Sequence, residues 1–345
     1  MSSTPSFLES LDPASRELLL SAATPVSFVA GATLVRHGDP ARGAYVLRTG
    51  MVEAEITQPG GEKLVVAKLG PGSVFGEMAL IELGTCTATV RATAPVDGWY
   101  FSNEDFRALV SQRSSAAIRL QHAVTSMLAG KLAALNAQLL DCTTPEDRSA
   151  RKLATGVDPL AGVARARRAN FDAAAFLPRL PFFEHFTGDE VDELASCGAY
   201  IEVPRGQAIF SIDGPPTSAF VVVRGAVEIV HAKSGCERRM AVLGPGQLIG
   251  YLAILNDRKH GAHALARESS LLLEIPAKPF REIYLGDRPV STRLRGAVQK
   301  SLLASMARTN RALTRLLAQA RLDAAAKEGK TLEAAYHGQL TAAAD

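Results

Sequence analysis

Apolar residues recur at two spacings in this chain, and the two come in the same order twice. First come short runs in which apolar and polar positions alternate: ATLVRHG at 32–38, AYVLRTGMVEAEIT at 44–57, KLVVAKLGPGSV at 63–74 and ATVRATAPVDGWYFS at 88–102. Glycine and proline punctuate them. Period two at this spacing predicts short antiparallel strands in a sandwich or barrel. Then the spacing changes to three and four. Val124, Leu128, Leu132, Leu135 and Leu139 form one stripe, which predicts a proline-free helix over 104–140. Val298, Leu302, Met306, Leu313 and Leu317 predict a second over 291–325. A short helix precedes each strand region, at 13–22 and 189–195.

The order repeats because the residues repeat. FLESL at 7–11 is echoed by FFEHF at 182–186, and GAYVLRTGMVEAEI at 43–56 by SAFVVVRGAVEIVH at 218–231. Ala44, Gly50 and Glu53 fall on Ala219, Gly225 and Glu228, at an offset of 175. KLGPGSVFGEMALI at 68–81 falls on VLGPGQLIGYLAIL at 242–255 at an offset of 174, as does Phe106-Arg107 on Phe280-Arg281. A match this long with one single-residue gap makes the chain two copies of one domain. The expected division is 1–140 and 179–325 for the copies, each ending in its long helix, 141–178 for a linker and 326–345 for a tail. The linker carries a basic run, ARARRAN at 164–170, which without interleaved aromatics predicts a solvated segment rather than a nucleic-acid arm.

The 345 residues, 47% apolar and 21% charged with a formal charge of +3, suit a globular protein and give no concentrated basic field for nucleic acid. Cys86, Cys142, Cys197 and Cys236 lie far apart, so no CxxC pair exists, and reduced thiols in the cytoplasm are the expectation. No apolar run approaches the roughly 20 residues that span a bilayer. No metal cofactor is expected, because only His260 and His263 stand close together and no other ligand type is spaced to join them.

Chemistry concentrates in one stretch, FGEMALIELGTCTATVRA at 75–92. Its glycines allow sharp turns, and Gly76 to Leu80 reads as the first turn of a short helix whose free N–H groups favour an anion. Glu77 beside such a site would repel a phosphate, so it suits a neighbouring sugar hydroxyl. Thr87 and Ala88 begin the next strand. FGEMAL followed by TATV resembles the phosphate-binding cassette of the cyclic nucleotide-binding domain family, a small β-barrel with a lid helix. The resemblance covers 7–140 and, more weakly, 180–318. It implies a jelly-roll-like barrel in each copy, mainly β with α, and cyclic AMP or cyclic GMP as ligand. Glu77 would take the ribose 2′-hydroxyl, and the N–H groups of Gly76, Met78 and Ala79 would hold the phosphate. Thr125 and Ser126 fall where catabolite activator-like members place a Thr-Ser pair against the adenine across a dimer.

The family pattern is broken at one dipeptide. Thr85-Cys86 stands where the family has Pro-Arg, and a cysteine cannot replace a bidentate, always-charged contact. Losing such a pair costs about 2–5 kcal/mol, or roughly 30- to 1,000-fold in affinity and more. In the second copy Tyr251 replaces the glutamate and Lys259-His260 the Pro-Arg pair, which predicts a folded barrel without nucleotide. Nothing in the sequence pairs a nucleophile with a base, so an enzyme is not expected. About twenty residues follow the second long helix, too few for a helix-turn-helix module, so DNA is not the expected partner. The expectation is a regulatory protein that senses a cyclic nucleotide through its first copy. The alternative is an adaptor that uses both barrels and the long helices for assembly. A homodimer through the long helices and an unidentified protein partner go with either.

Overall fold

The computed structural model describes residues 7–57, 63–141, 154–166, 172–233 and 236–327. Its contacts divide into two compact units, 1–128 with 314–345, and 129–313.

The first unit opens with α1 (Phe7–Ser10) and α2 (Pro13–Leu20). The barrel follows: β1 (Thr24–Phe28), β2 (Thr33–Val35), β3 (Pro40–Ala41), β4 (Gly43–Thr49), β5 (Val52–Thr57), β6 (Lys63–Leu69), β7 (Val74–Phe75), β8 (Gly84–Thr85), β9 (Thr89–Ala92) and β10 (Val96–Ser102). Two antiparallel sheets, β1-β10-β4-β7 and β2-β9-β5-β6, face each other, and β3 pairs with β8. The alternation read from sequence is the reason: Leu47, Val52, Phe75, Val90 and Val96 point into one buried cluster.

The linker region contributes α5 (Ala173–Phe176), and the second unit continues with α6 (Gly188–Ser196). Its strands are β11 (Ala199–Val203), β12 (Ala208–Phe210), β13 (Ser218–Arg224), β14 (Val227–Lys233), β15 (Cys236–Leu243), β16 (Leu248–Ile249), β17 (His263–Ala266) and β18 (Ser270–Pro276). The sheets are β11-β18-β13-β16 and β12-β17-β14-β15, the same order strand for strand. Even an irregularity recurs: the β5–β6 ladder slips between Ala54 and Glu55, and the β14–β15 ladder between Ile229 and Val230. The two tandem barrels expected from the repeat are therefore present.

Each barrel leads into a helical end, and here the structure corrects the sequence. The continuous helix expected over 104–140 is two helices, α3 (Asn103–Ser111) and α4 (Ser115–Asp141). Arg113 sits at φ 53 between them, and the Ser114 hydroxyl accepts from the Ala117 N–H at 3.2 Å, starting a new helix. In the second unit α7 (Tyr251–Leu255) lies in the cassette, and α8 (Ala277–Leu285) and α9 (Pro289–Lys327) follow the barrel. Val124, Leu128, Leu132, Leu139, Val298, Leu302 and Met306 of the helical stripes are buried within the single chain. The side chain of Leu317 lies outside the described residues. Among the described residues no helix is long and apolar enough to cross a membrane.

Part of the 141–178 segment is tied to the second barrel. Leu160, 1% exposed, sits in the cluster formed by Ile201, Ile209, Phe210 and Val222. Gly156 donates its N–H to Ile212 O at 2.7 Å, and Gln207 donates to Pro159 O at 3.2 Å. Ala166 bridges Tyr200, and Arg165 of the basic run forks onto the Glu274 carboxylate, which is 4% exposed. The strap runs over β11 and β12, the edge strands of the two sheets. Leu160→Ala should lower the stability of this unit by about 2–5 kcal/mol, as for other buried leucines, while Val157→Ala, at an exposed position, should leave it within about 0.5 kcal/mol. Urea unfolding of the two variants checks this; equal effects would show that the strap does not belong to the core.

Candidate functional site

The cassette of the first barrel is held by its backbone. β7 ends at Phe75, Gly76 takes φ 75, and a 3₁₀ turn runs over Glu77–Leu80. A Cβ at Gly76 would lie 2.6 Å from Gly43 O, so only glycine lets the turn press this close to β4 at that angle. From α3, the Asn103 side-chain amide donates to Ala79 O and fixes the far end of the turn. Glu77, first in the turn, is 7% exposed, and Ala79 and Leu80 are buried. A carboxylate at a buried position is rare and needs polar company.

The far wall is the position where the family has arginine. Cys86 donates its N–H to Asp39 O and accepts from the Gly38 N–H, each at 2.8 Å. These bonds continue the β3–β8 ribbon, Pro40 with Thr85 and Ala41 with Gly84. Burial pushes the Cys86 thiol up, and the Asp39 carboxylate adds to the rise. Burial likewise raises the Tyr45 hydroxyl, with Tyr100 and Cys86 adding to it. Tyr100 is also raised, chiefly by burial, with Arg42 opposing and Asp105 and Cys86 adding. Tyr45 stacks on Phe75 at 5.0 Å and meets Tyr100 at 4.9 Å. The wall is therefore a thiol and two phenols, all neutral at pH 7.

The structure thus brings Gly76, Glu77, Met78 and Ala79 to one end of the barrel, and links Cys86 to them through Tyr45 and Phe75. Thr87 is exposed, and Ala88 packs on the barrel core just before β9 begins. Thr125 and Ser126 lie on α4. Thr125 is 1% exposed and donates its hydroxyl to Gln121 O within the helix, at 2.9 Å. Sequence reasoning missed Asp39, Arg42, Tyr45 and Tyr100. The two tyrosines are cross-strand partners in the β4–β10 ladder, a pairing that no local motif encodes.

The second barrel repeats the frame with different contents. Gly250 takes φ 80, and α7 replaces the 3₁₀ turn. His260 donates its N–H to Gly214 O at 3.1 Å and accepts from the Asp213 N–H at 2.9 Å, the same pair of bonds that holds Cys86. Its ring stacks on Phe210 at 4.1 Å and 12°, 5% exposed. Phe210 also stacks on Phe220. Tyr251, in the place of Glu77, is 4% exposed, and its hydroxyl has no hydrogen-bond partner among the described residues. Tyr251 thus packs among Leu194, Phe280, Tyr284 and Val298, and His260 packs on Phe210. A cleft of about 220 Å³ lies elsewhere in this unit, between Phe182, Phe186, Gly246 and the Arg293–Lys300 face of α9. Among the described residues no group of His, Cys, Asp and Glu is placed to hold a metal.

A family model described as the cyclic nucleotide-binding domain matches residues 25–113 and again 200–287. The chain belongs to the cyclic nucleotide-binding domain family. The cAMP-dependent protein kinase regulatory subunit of Mycosarcoma maydis is 24% identical over 264 residues, covering 73% of this chain and 40% of that protein. The cyclic AMP receptor protein of Thermus thermophilus is 33% identical over 106 residues, 30% of this chain and 47% of that protein. The chain spans less than half the length of these curated relatives. Among solved structures, the regulatory domain of Toxoplasma gondii PKA with cAMP is similar over 86% of this chain and 91% of that one, at 19% identity and a TM-score of 0.31. At the two cassette positions this chain has Glu77 and Cys86 in its first domain and Tyr251 and His260 in its second.

The buried histidines of the second domain make its stability acid-sensitive. Burial pulls His260 down from the ordinary 6.5 to about 4, against smaller raising effects of Asp158 and Pro215. His231 falls to about 4 by burial, helped by His263. Each stays neutral when folded and gains a proton when unfolded, so stability present above pH 6.5 is lost as the pH falls towards 4. The slope is about 1.4 kcal/mol per pH unit for each histidine. The urea midpoint of the second domain should fall between pH 7 and pH 5, with a shallower fall in His260→Phe. A midpoint that stays flat over this range would contradict neutral burial.

Proposed function

We propose that this chain is a non-enzymatic regulatory protein whose first domain binds a cyclic nucleotide or a related ribose-bearing ligand. In this reading the cassette of the second domain is kept for its fold. The observation that carries it is Glu77, held buried at the start of a glycine-pinned turn, in contrast to Tyr251 and the inward-stacked His260. A carboxylate there accepts hydrogen bonds from a ribose hydroxyl. Binding shifts the populations of the cassette and the helices packed behind it, which is the signal a partner reads. The relatives named as a kinase regulatory subunit and a cyclic AMP receptor protein support a regulatory role for such domains. A homodimer through the long helices, an unidentified protein partner and a cytoplasmic setting belong to the same proposal. The adaptor reading is favoured by one observation, the loss of the arginine at Cys86.

Titration of the purified chain separates the two. A ligand should bind at one site per chain, and Glu77→Ala should weaken it roughly 10- to 150-fold, the range for a hydrogen bond to a charged group. Tyr251→Phe should leave the affinity unchanged. Binding that survives Glu77→Ala intact, or two sites per chain, would overturn this assignment.

A further inference from the structure

The cleft in the second domain lies outside its cassette. One wall is aromatic: Phe182 stacks on Phe186 with ring centres 5.7 Å apart, and Phe186 is only half-buried. The back of this wall is rigid, because Gly246 presses on Pro181, where a Cβ would lie 2.3 Å from the ring. The facing wall is α9, and there Gly296 is exposed. Glycine is the poorest helix former after proline, and a Cβ at this position would meet nothing within 4 Å. Packing therefore does not require the glycine, whereas any side chain there would take up part of the cleft that it lines.

The charges lining the cleft are of one sign. Arg293 and Lys300 flank Gly296 along α9, His185 joins them from the segment of the aromatic wall, and no aspartate or glutamate is among the lining residues. The carboxylates that pair with the two cations stand outside the lining: Lys300 Nζ is 2.7 Å from Glu184 Oε2, and Arg293 Nε is 3.9 Å from Glu190 Oε2. The second pair is loose. A guanidinium has five N–H donors, so Arg293 can take another carboxylate without giving up the first.

We propose that this cleft binds a small aromatic carboxylate, a single ring with a short acid arm. A cavity of about 150 Å³ takes a benzene ring. The cleft, at about 220 Å³, has room for a ring and an arm and not for a nucleotide. The ring lies between Phe182, Phe186 and the bare stretch of α9, where aromatic pairing adds to burial. The carboxylate meets Arg293. Bound there, the ligand joins the 181–186 segment to α9 and stabilises the folded domain. The site is independent of whether either cassette takes a nucleotide.

Calorimetric titration of the full chain with phenylacetate, phenylacetamide and acetate tests this. Phenylacetate should bind once per chain with a submillimolar Kd, about 10-fold or more tightly than the other two, which lack the charge or the ring. Gly296→Leu, a change to a better helix former, should leave the urea midpoint of the domain in place and abolish binding. Arg293→Gln, at an exposed position, should weaken phenylacetate by about 10-fold and leave phenylacetamide unchanged. Glu77→Ala should alter neither. Phenylacetamide bound as tightly as phenylacetate, or phenylacetate binding untouched by Gly296→Leu or by Arg293→Gln, overturns the inference. So does a chain that unfolds cooperatively yet gives neither heat nor a rise in its unfolding midpoint with phenylacetate.

Discussion

In each domain two backbone hydrogen bonds tie the end of the cassette loop to the loop after the second strand: Cys86 to Gly38 and Asp39, His260 to Asp213 and Gly214. Backbone groups make these bonds, so they tolerate changes of side chain. They fix a position, not a residue. Whatever stands there is delivered to the same wall of the barrel, and its chemistry decides what the barrel holds. A guanidinium there would grip a phosphate. A histidine is buried and stacks on Phe210. A cysteine does neither, and leaves a neutral wall.

The two domains therefore show one scaffold with two contents. Sheet order, the slip in the central ladder and the left-handed glycine before the cassette turn are shared. These features come from backbone geometry and alternating apolar positions, which survive as long as the core packs. The contents have diverged. The second barrel has Tyr251 where the first has Glu77, and it carries buried neutral histidines and a packed strap from the preceding segment. The first has Glu77 in a buried setting at the start of its cassette turn.

Much of this was legible in the residues. Period-two alternation and the internal repeat placed the strands and the two barrels, because both arise from local spacing. FGEMAL placed the cassette, because a turn that tight needs glycine at position 76. The break between α3 and α4 was missed: a continuous apolar stripe conceals a serine cap that acts over three residues. The wall of the site was less accessible. Tyr45 and Tyr100 are adjacent only through the register of the β4–β10 ladder. Asp39 reaches Cys86 only through the fold of the β3–β8 ribbon. The same holds for Leu160, whose segment shows no periodicity and yet enters the core of the second barrel.

The asymmetry between the two domains is what hydrogen–deuterium exchange reads most directly. The chain would be exchanged with and without millimolar adenosine or cyclic AMP, and peptides from 74–92 compared with those from 248–266. Protection confined to 74–92 is the expected result, since Tyr251 and His260 are buried at the matching positions of the second domain. Equal protection at 248–266, or protection at neither cassette with either ligand, would contradict a division into one binding cassette and one structural cassette.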